Sequence, residues 1–194
     1  MTKNKTSVFT MHGASNHSAY EREEHDYYAT DPKAIPLLLE QETFSKNVWE
    51  CAVGGGHLAK ELRNHGYNVF CSDIIDRGYH KTNIIDFLEF DGLFKGDIIT
   101  NPPYKHALEF VKKSLEVIPQ DAKVAMFLKL TFLESKKRKE FFTKNPPKTV
   151  YVFSSRIDCS RNGDFEKFKS KAISYVWYVW EKGYLGDTII KWIN

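Results

Sequence analysis

The sequence has little cysteine and no long apolar run, and both shortages exclude whole classes of protein. Three cysteines, Cys51, Cys71 and Cys159, are too few and too scattered for a disulfide framework or a paired-cysteine metal site. The seven histidines show no ligand spacing either, so we expect no metal. No apolar stretch approaches the roughly 18 residues of a membrane span, and the start lacks a signal-peptide core. We therefore expect reduced thiols in a cytoplasmic protein with no membrane partner.

The chain also lacks a large net charge, which is +3 over 194 residues. The charge of the whole molecule is therefore weak evidence for a nucleic-acid partner. Its distribution is uneven, because acidic residues concentrate near the start and a basic cluster occupies 136–139, followed by lysines at 144, 148, 167, 169 and 171. Such a cluster is usually a solvated helix face, but it is also suited to phosphate groups.

Strand and helix patterns alternate from residue 48 onward. Runs such as "NVWEC", "NVFCSD", "DIIT" and "KVAMFLKL" predict strands, and "GHLAKELRNHG", "KHALEFVKKSLEVI" and "FLESKKRKEFFTK" predict helices. Two aromatic runs, "TVYVFS" and "SYVWYVWE", follow without a helix between them. This order predicts one α/β domain over 26–194, a doubly wound, mostly parallel sheet of seven strands with an antiparallel edge. Residues 1–25 are polar and are expected to form a flexible leader.

A glycine-rich segment, "ECAVGGGHLA" at 50–59, falls where the first strand of this alternation passes to its helix. Glycines let the backbone turn tightly and approach a ligand beneath a helix N-terminus. Gly54, Gly56 and Ala59 fit the G-x-G-x-x-[G/A] pattern of dinucleotide sites. Asp73 ends the next strand about 20 residues on, where a carboxylate can accept hydrogen bonds from a ribose. Considered alone, Asp73 could equally be a turn or capping residue; together the features predict NAD or S-adenosylmethionine as cofactor.

The tetrapeptide "NPPY" at 101–104 follows the strand "DIIT" directly. Prolines donate no backbone hydrogen bond, so the strand ends here, in what could be no more than a rigid loop. Ligands of a doubly wound sheet sit where the strand order reverses, which would bring the tetrapeptide to the glycine loop. The Asn101 side-chain oxygen and the Pro102 carbonyl could then accept hydrogen bonds from an NH2 group and favour the charge that develops on its nitrogen. Pro103 would hold that carbonyl in a fixed direction, and Tyr104 would stack on a flat base that has left its duplex.

Together with the glycine loop and Asp73, "NPPY" resembles the (D/N/S)-P-P-(Y/F) motif of amino-methyltransferases that use S-adenosylmethionine. Asn in first place is more similar to enzymes that act on adenine N6 or an amide than to those that act on cytosine N4. "DYYATDPKAIPLLL" resembles the upstream cofactor segment of N6-adenine DNA methyltransferases, and "IIDFL" resembles the segment whose Asp contacts the cofactor's adenine. "LKLTFLES" with its basic helix, and "KSKAISYVWYVWEKG", are similar to small bacteriophage members of this group.

The resemblance implies S-adenosylmethionine as the cofactor and adenine N6 of DNA as the acceptor, in the cytoplasm of a bacterial host if the chain is phage-encoded. It implies that the catalytic residues are Asn101, Pro102, Pro103 and Tyr104. It implies that the cofactor is bound by Tyr28, Thr30, Glu50, Cys51, Ala52, Gly54, Gly56, Asp73, Ile74, Asp86 and Phe87.

One departure from the family leaves target recognition open. Members that select a DNA sequence usually carry a separate recognition domain, and the short stretch between Asp73 and Asn101 has no room for one. We expect recognition to come from the basic region at 131–171 or from a partner protein or oligomer, or else to be absent. The loop "SSRIDCSRNGDFEKFKSK", with Phe165 and Phe168, is an internal candidate, or an ordinary exposed connection.

Three alternatives to a DNA methyltransferase remain at this point. RNA or a protein glutamine amide would suit the same tetrapeptide as acceptor. A nicotinamide oxidoreductase would leave residues 101–104 without a role. A non-catalytic module with a methyltransferase-like fold, acting in binding or against restriction, is the hypothesis from a different class.

Overall fold

The structure is a computed structural model that describes residues 28–157, 159–161 and 173–194. The predicted leader at 1–25 lies outside the described residues, as do Phe165 and Phe168 of the candidate recognition loop. No helix in the described ranges is long and apolar enough to cross a membrane.

The described residues form strands, α-helices and short 3-10 turns in an alternating order. The strands are β1 (Tyr28–Thr30), β2 (Asn47–Glu50), β3 (Asn68–Asp73), β4 (Asn83–Ile84), β5 (Asp97–Thr100), β6 (Lys123–Lys129), β7 (Thr149–Phe153), β8 (Cys159–Arg161), β9 (Tyr175–Glu181) and β10 (Ile189–Ile193). The α-helices are α1 (Ala34–Leu39), α2 (His57–Asn64), α3 (Ala107–Val117) and α4 (Lys136–Lys144). The 3-10 turns are Phe87–Glu89, Tyr104–His106 and Leu130–Leu133.

The main sheet has eight strands in the order β10-β7-β9-β6-β5-β2-β3-β4. Only the pairs of β9 with β6 and with β7 are antiparallel, and the other neighbours are parallel. The strand order reverses between β2 and β5, since β3 follows on one side of β2 and β6 on the far side of β5. This arrangement confirms the predicted doubly wound α/β class and creates a switch point where ligands of such folds bind.

Two details of the sheet differ from the prediction. The sheet has eight strands instead of seven, because β10 adds to the edge in parallel with β7. The antiparallel strand is internal, between β6 and β7, instead of forming the edge. Nearly every side chain of β9 is buried, which suits a strand covered on both faces, whereas four of the five residues of β10 are exposed.

Helices cover both faces of the sheet, and side chains of the strands alternate between two cores. One core joins β-strand residues such as Val48 and Ile99 to α1 and α2. The other joins their neighbours Trp49 and Ile98 to α3, with α4 packed at its margin. The fold therefore has three layers, with the sheet between two layers of helices. The paired strands β2 and β5 lie side by side in the middle layer.

A second, two-stranded sheet pairs β1 with β8 in antiparallel register, with Thr30 opposite Cys159. The sequence did not predict this pair, because each strand is only three residues long and they lie far apart in the chain. We call β1 and β8 together the ribbon. It lies against the tetrapeptide, because the Tyr28 carbonyl accepts a hydrogen bond from the Asn101 amide at 2.8 Å.

Candidate functional site

A cavity of about 300 Å³ lies at the switch point, at the carboxyl ends of β2, β3 and β5. Small-ligand pockets usually begin near this size. Most of the residues singled out in the sequence line it, namely Tyr28, Thr30, Glu50, Cys51, Ala52, Asp73, Ile74, Asp86, Phe87, Asn101, Pro102, Pro103 and Tyr104. Gly54 and Gly56 are not in the wall, and they act on the shape of the loop behind it.

The glycine loop is held by the carboxylate that the sequence singled out. Asp73 Oδ2 accepts a hydrogen bond from the Gly54 amide at 2.9 Å, and Asp73 Oδ1 accepts one from the Ile75 amide at 3.2 Å. Gly56 has φ +79° and begins α2, in a conformation that an L-residue with a Cβ adopts at a cost. Asp73 thus joins the loops after β2 and β3 while it also faces the cavity.

Replacing Gly56 by alanine should lower the free energy of unfolding by more than replacing Gly78 does. Both glycines have similar φ values, +79° and +82°, so both variants bear the same left-handed strain of about 1–2 kcal/mol. Only at Gly56 would the new Cβ meet a side chain, 2.5 Å from the Tyr79 ring, since nothing lies within 4 Å at Gly78. Overpacking of this kind adds about 1–3 kcal/mol. Urea unfolding measures both values, and equal costs would contradict the steric account.

Glu50 is a buried carboxyl at the end of β2, and it is only 1% exposed. Its Oε1 accepts hydrogen bonds from the Ala52 amide at 3.2 Å and from the Thr100 hydroxyl. Burial raises the pKa of Glu50 to about 8, and the nearby Asp73 carboxylate adds to the rise. The wall of the cavity therefore holds a carboxyl that is largely neutral at pH 7 and that a bound cation would ionise.

Asp86 and Phe87 enter the wall through the 3-10 turn after β4. Asp86 Oδ1 accepts a hydrogen bond from the Leu88 amide at 3.0 Å and so begins the turn. Phe87 is buried, and its ring meets Trp49 edge-on with centroids 5.1 Å apart. Asp86 is exposed at the rim of the cavity. Phe87 is buried in the core and also lines the cavity.

Asn101 has a fixed side-chain orientation. Its Nδ2 donates to the Tyr28 carbonyl at 2.8 Å and lies 3.9 Å from Cys159 Sγ. Its Oδ1 is buried and has no hydrogen-bond partner among the described residues. Buried polar atoms are nearly always paired, so an orphaned acceptor needs an explanation. Because Nδ2 of Asn101 donates to the Tyr28 carbonyl of the ribbon, Oδ1 is the atom of this side chain that can accept a hydrogen bond from a ligand.

Tyr104 is packed on several sides next to this acceptor. Its ring lies near-parallel to the Tyr28 ring with centroids 6.3 Å apart, and its centroid is 5.7 Å from that of Tyr175. Lys129 Nζ lies 4.9 Å from the same centroid, a cation–π distance. The Tyr104 hydroxyl lies 3.2 Å from Cys159 Sγ, and burial raises the pKa of Tyr104 well above its ordinary value. The Tyr104 hydroxyl is therefore neutral, and its contact with Cys159 holds the ring in place.

The structure adds site residues that the sequence did not single out. Cys159 touches Asn101 and Tyr104, yet no local pattern marked it, because the ribbon brings it there from far along the chain. Lys129 ends a predicted strand, where a charged residue is unremarkable. The cavity is also lined by Ala29, Val53, His57, Leu58, Arg77, Ile85, Leu88, His106 and Phe110. Proximity to the glycine loop or the tetrapeptide could have marked Val53, His57, Leu58 and His106.

The basic cluster forms the first turn of α4, which begins soon after Lys129 at the end of β6. Arg138 is turned inward, and its guanidinium donates to the carbonyls of Phe132 at 2.7 Å and Glu134 at 2.9 Å. Three neighbours, Lys136, Lys137 and Lys139, are exposed and form no ion pair with another described residue. We call these three residues the basic face of α4.

No protein-family model matches the chain, and no curated protein does either. Solved structures match its fold. The type I restriction-modification system methyltransferase subunit from Streptococcus thermophilus has a TM-score of 0.60 at 13% identity, over 87% of this chain and 48% of that chain. A SAM-dependent O-methyltransferase from Thermotoga maritima has a TM-score of 0.53 at 13% identity, over 81% of this chain and 66% of that chain. The N-methyltransferase NodS from Bradyrhizobium japonicum has a TM-score of 0.51 at 11% identity, over 77% of this chain and 92% of that chain.

These likenesses show the class I methyltransferase fold. Two of these neighbours are named for different acceptor atoms, oxygen and nitrogen, so the fold alone does not identify an acceptor. Cofactor and acceptor must be argued from the side chains of the site.

Proposed function

We propose that the chain transfers a methyl group from S-adenosylmethionine to an exocyclic amine, adenine N6 of DNA. The observation that carries the proposal is the buried, unpartnered Oδ1 of Asn101 beside the cavity. An acceptor held in this way is suited to a ligand that arrives with N–H groups. The tetrapeptide resemblance and the methyltransferase fold agree with this choice.

The residues of the cavity fit S-adenosylmethionine by chemistry. The cofactor carries an ammonium and a sulfonium, which favour carboxylates, and Glu50 and Asp73 both line the wall. Its ribose hydroxyls suit Asp73, and Ile74, which is 60% exposed beside it, offers an apolar surface for a purine. Thr30, Cys51, Ala52, Asp86 and Phe87 complete the proposed cofactor wall. When bound, S-adenosylmethionine supplies a methyl group that is already activated by its positive sulfur.

Asn101 and Pro102 would act on the target amine. An exocyclic nitrogen is a weak nucleophile, because its lone pair is delocalised into the ring. Hydrogen bonds from its two N–H groups to Asn101 Oδ1 and the Pro102 carbonyl would favour tetrahedral nitrogen with rising positive charge. These acceptors stabilise the transition state more than the planar ground state, which is the requirement for catalysis. Pro103 then starts the turn that carries Tyr104, since its carbonyl accepts from the His106 amide at 2.9 Å.

The basic face of α4 supports a nucleic acid as the acceptor. It begins seven residues after Lys129, whose ammonium stands over the Tyr104 ring. A phosphate backbone that delivers a base to the tetrapeptide would thus have cations on its route. The choice of DNA over RNA rests on the resemblance of the sequence to N6-adenine DNA methyltransferases. Target selection is assigned to this surface or to a partner protein.

Transfer of label from tritiated S-adenosylmethionine tests the proposal. Unmethylated genomic DNA, total RNA and a protein extract are offered side by side to the full chain, and labelled nucleic acid is digested to nucleosides. We expect label in N6-methyldeoxyadenosine. Label in RNA or on protein glutamine would displace DNA as the acceptor. A lack of S-adenosylmethionine binding by calorimetry, in a folded protein, would refute the enzyme and favour a binding module.

Removing charge from the basic face should weaken DNA binding in a salt-dependent way. For the double variant Lys136→Gln, Lys137→Gln we expect the slope of log affinity against log salt to fall by up to about 1.8, because each neutralised phosphate contributes about 0.9. Fluorescence anisotropy with duplex DNA at several salt concentrations measures the slope.

The matched control removes two exposed lysines from the opposite edge of the sheet. Lys46 and Lys95 precede β2 and β5, and both are exposed. Lys46→Gln, Lys95→Gln should leave the slope unchanged, since the amino ends of the strands face away from the cavity. If the two double variants behaved alike, the basic face would have no special role.

A further inference from the structure

The strand β10 forms one edge of the main sheet, and among the described residues it pairs only with β7. The Ile189 amide donates to the Lys148 carbonyl at 3.0 Å, next to β7. Because the backbone groups of a strand alternate in direction, Ile190 and Trp192 direct their N–H and C=O groups away from β7. The outer side of β10 therefore presents a row of hydrogen-bonding groups that a further strand could pair with.

The side chains of β10 are mostly apolar although they are exposed. Ile189 and Ile190 are each 49% exposed, and Trp192 is 70% exposed. Edge strands that stay free are commonly protected by proline, by several charges or by a bulge. The strand β10 has no proline and a single charged residue, Lys191. Apolar side chains beside open backbone groups indicate a site for strand addition.

The charges around β10 favour a second copy of the same strand as its partner. Asp187 and Lys191 are both exposed, and neither forms an ion pair with another residue of the described ranges. In an antiparallel pair with a two-fold axis at Ile189, Asp187 of each copy would lie opposite Lys191 of the other. The outward backbone groups of Thr188 and Ile190 would pair in the same register. An axis at Lys191 would instead place two lysines opposite each other, which is unfavourable.

We propose that β10 pairs with β10 of a second copy of this chain, antiparallel and about a two-fold axis at Ile189, so that the two main sheets join into one. The strands of the two copies would run in opposite directions, so the two cavities would lie at opposite edges of the joined sheet. Each copy would then keep a complete site, and target recognition would not come from the second copy. The contact is small, so we expect a dissociation constant in the micromolar range. The inference does not depend on the acceptor that the chain methylates.

Cysteine cross-linking of the full chain tests the register. A residue on the two-fold axis faces its own copy with Cα atoms about 4.5 Å apart, which a disulfide can span. We expect Ile189→Cys to form a covalent dimer under mild oxidation. Lys191→Cys is the matched control, because its copy would lie four residues further along the partner strand, about 13 Å away. The three native cysteines are buried and should not contribute. Equal cross-linking of the two variants, or none in either, would refute the pairing.

Charge reversal tests the same interface without a new covalent bond. Asp187→Lys or Lys191→Asp alone would place like charges opposite each other at two points, so the dissociation constant of the dimer should rise about tenfold or more. The double variant Asp187→Lys, Lys191→Asp restores opposite charges and should dimerise like wild type. Sedimentation equilibrium measures the dissociation constants, and circular dichroism shows that each variant is folded. A wild-type chain that stayed monomeric at high concentration would refute the second copy and leave the edge to a strand of a different protein. A double variant as weak as the single ones would refute the register.

Discussion

Replacing Asn101 by alanine should lower the rate of methyl transfer about 10²- to 10³-fold, the usual effect of removing one preorganised hydrogen-bonding group from a transition-state site. The structure leaves Asn101 Oδ1 buried without a described partner and occupies its amide nitrogen with the Tyr28 carbonyl. Alanine removes this acceptor and leaves the cofactor wall in place, so affinity for S-adenosylmethionine should stay near wild type. Single-turnover transfer of tritium, with calorimetry for the cofactor, measures the two effects separately.

Asn101→Asp is the matched variant. It keeps an oxygen in the position of Oδ1, but it puts a second oxygen opposite the Tyr28 carbonyl, which is 2.8 Å from the present nitrogen. Two acceptors at that distance repel each other, so the side chain should be less well held. We expect activity between those of wild type and Asn101→Ala. Full activity in Asn101→Ala would show that the target amine is activated by some other group.

Affinity for S-adenosylmethionine should rise with pH, by up to tenfold per unit, until the pH passes the pKa of Glu50 at about 8. Below that value the carboxyl is mainly protonated, and a cation binds well beside it only after the proton has left. Glu50→Gln cannot ionise, so its affinity should be lower and should lack the rise that comes from this carboxyl. Calorimetry at several pH values, in buffers of different ionisation enthalpy, measures both the affinity and the protons released.

Burial shifts the pKa values of two other groups of the cavity away from that of Glu50. Burial, with Lys60 nearby, lowers the pKa of His57 below its ordinary 6.5. Burial, with Glu50 nearby, raises the pKa of Cys51 well above its ordinary 9.0. A pH dependence that survived in Glu50→Gln would therefore assign the proton to a group outside this set.

Glu50→Gln should lower the affinity for S-adenosylmethionine but raise the free energy of unfolding at high pH. The folded-state pKa of Glu50 lies above its ordinary value of 4.5, so the folded protein holds the proton more tightly than the unfolded chain does. Its contribution to stability is present below pH 4.5 and is lost as pH rises towards about 8, at up to about 1.4 kcal/mol per unit. Glu50→Gln should therefore gain stability over wild type at pH 9. Urea unfolding at pH 6 and pH 9 measures the gain. The difference in free energy of unfolding between Glu50→Gln and wild type should be smaller at pH 6 than at pH 9.

The part of the fold that sequence patterns predicted is the part built from local signals. Alternating strand and helix runs indicated the doubly wound class, and glycines followed by a strand ending in Asp73 indicated where a ligand loop would lie. The tetrapeptide at 101–104 and the loop at 50–59 do line one cavity, as the expected switch point required. Each of these features depends on short segments and on a general rule of strand order.

The missed features depend on contacts between distant segments. The position of β9 inside the sheet is decided by burial on both faces, which a run of aromatic residues does not reveal by itself. Tyr28 and Cys159 meet Asn101 only because β1 pairs with β8, and neither three-residue strand has a pattern of its own. The acceptor side of the site is therefore less visible in the sequence than the cofactor side.

The ribbon also decides when the site becomes complete during synthesis. The glycine loop and Asp73 are in place once β2 and β3 have paired, early in the chain, whereas Thr30 meets Cys159 across 129 positions. Contacts of such wide separation form late in folding, because a long loop must first be closed. A nascent chain would acquire its glycine loop first and the ribbon beside the tetrapeptide only after β8 has emerged. If the proposed transfer needs the ribbon, it would begin only after the chain has been made at least as far as β8.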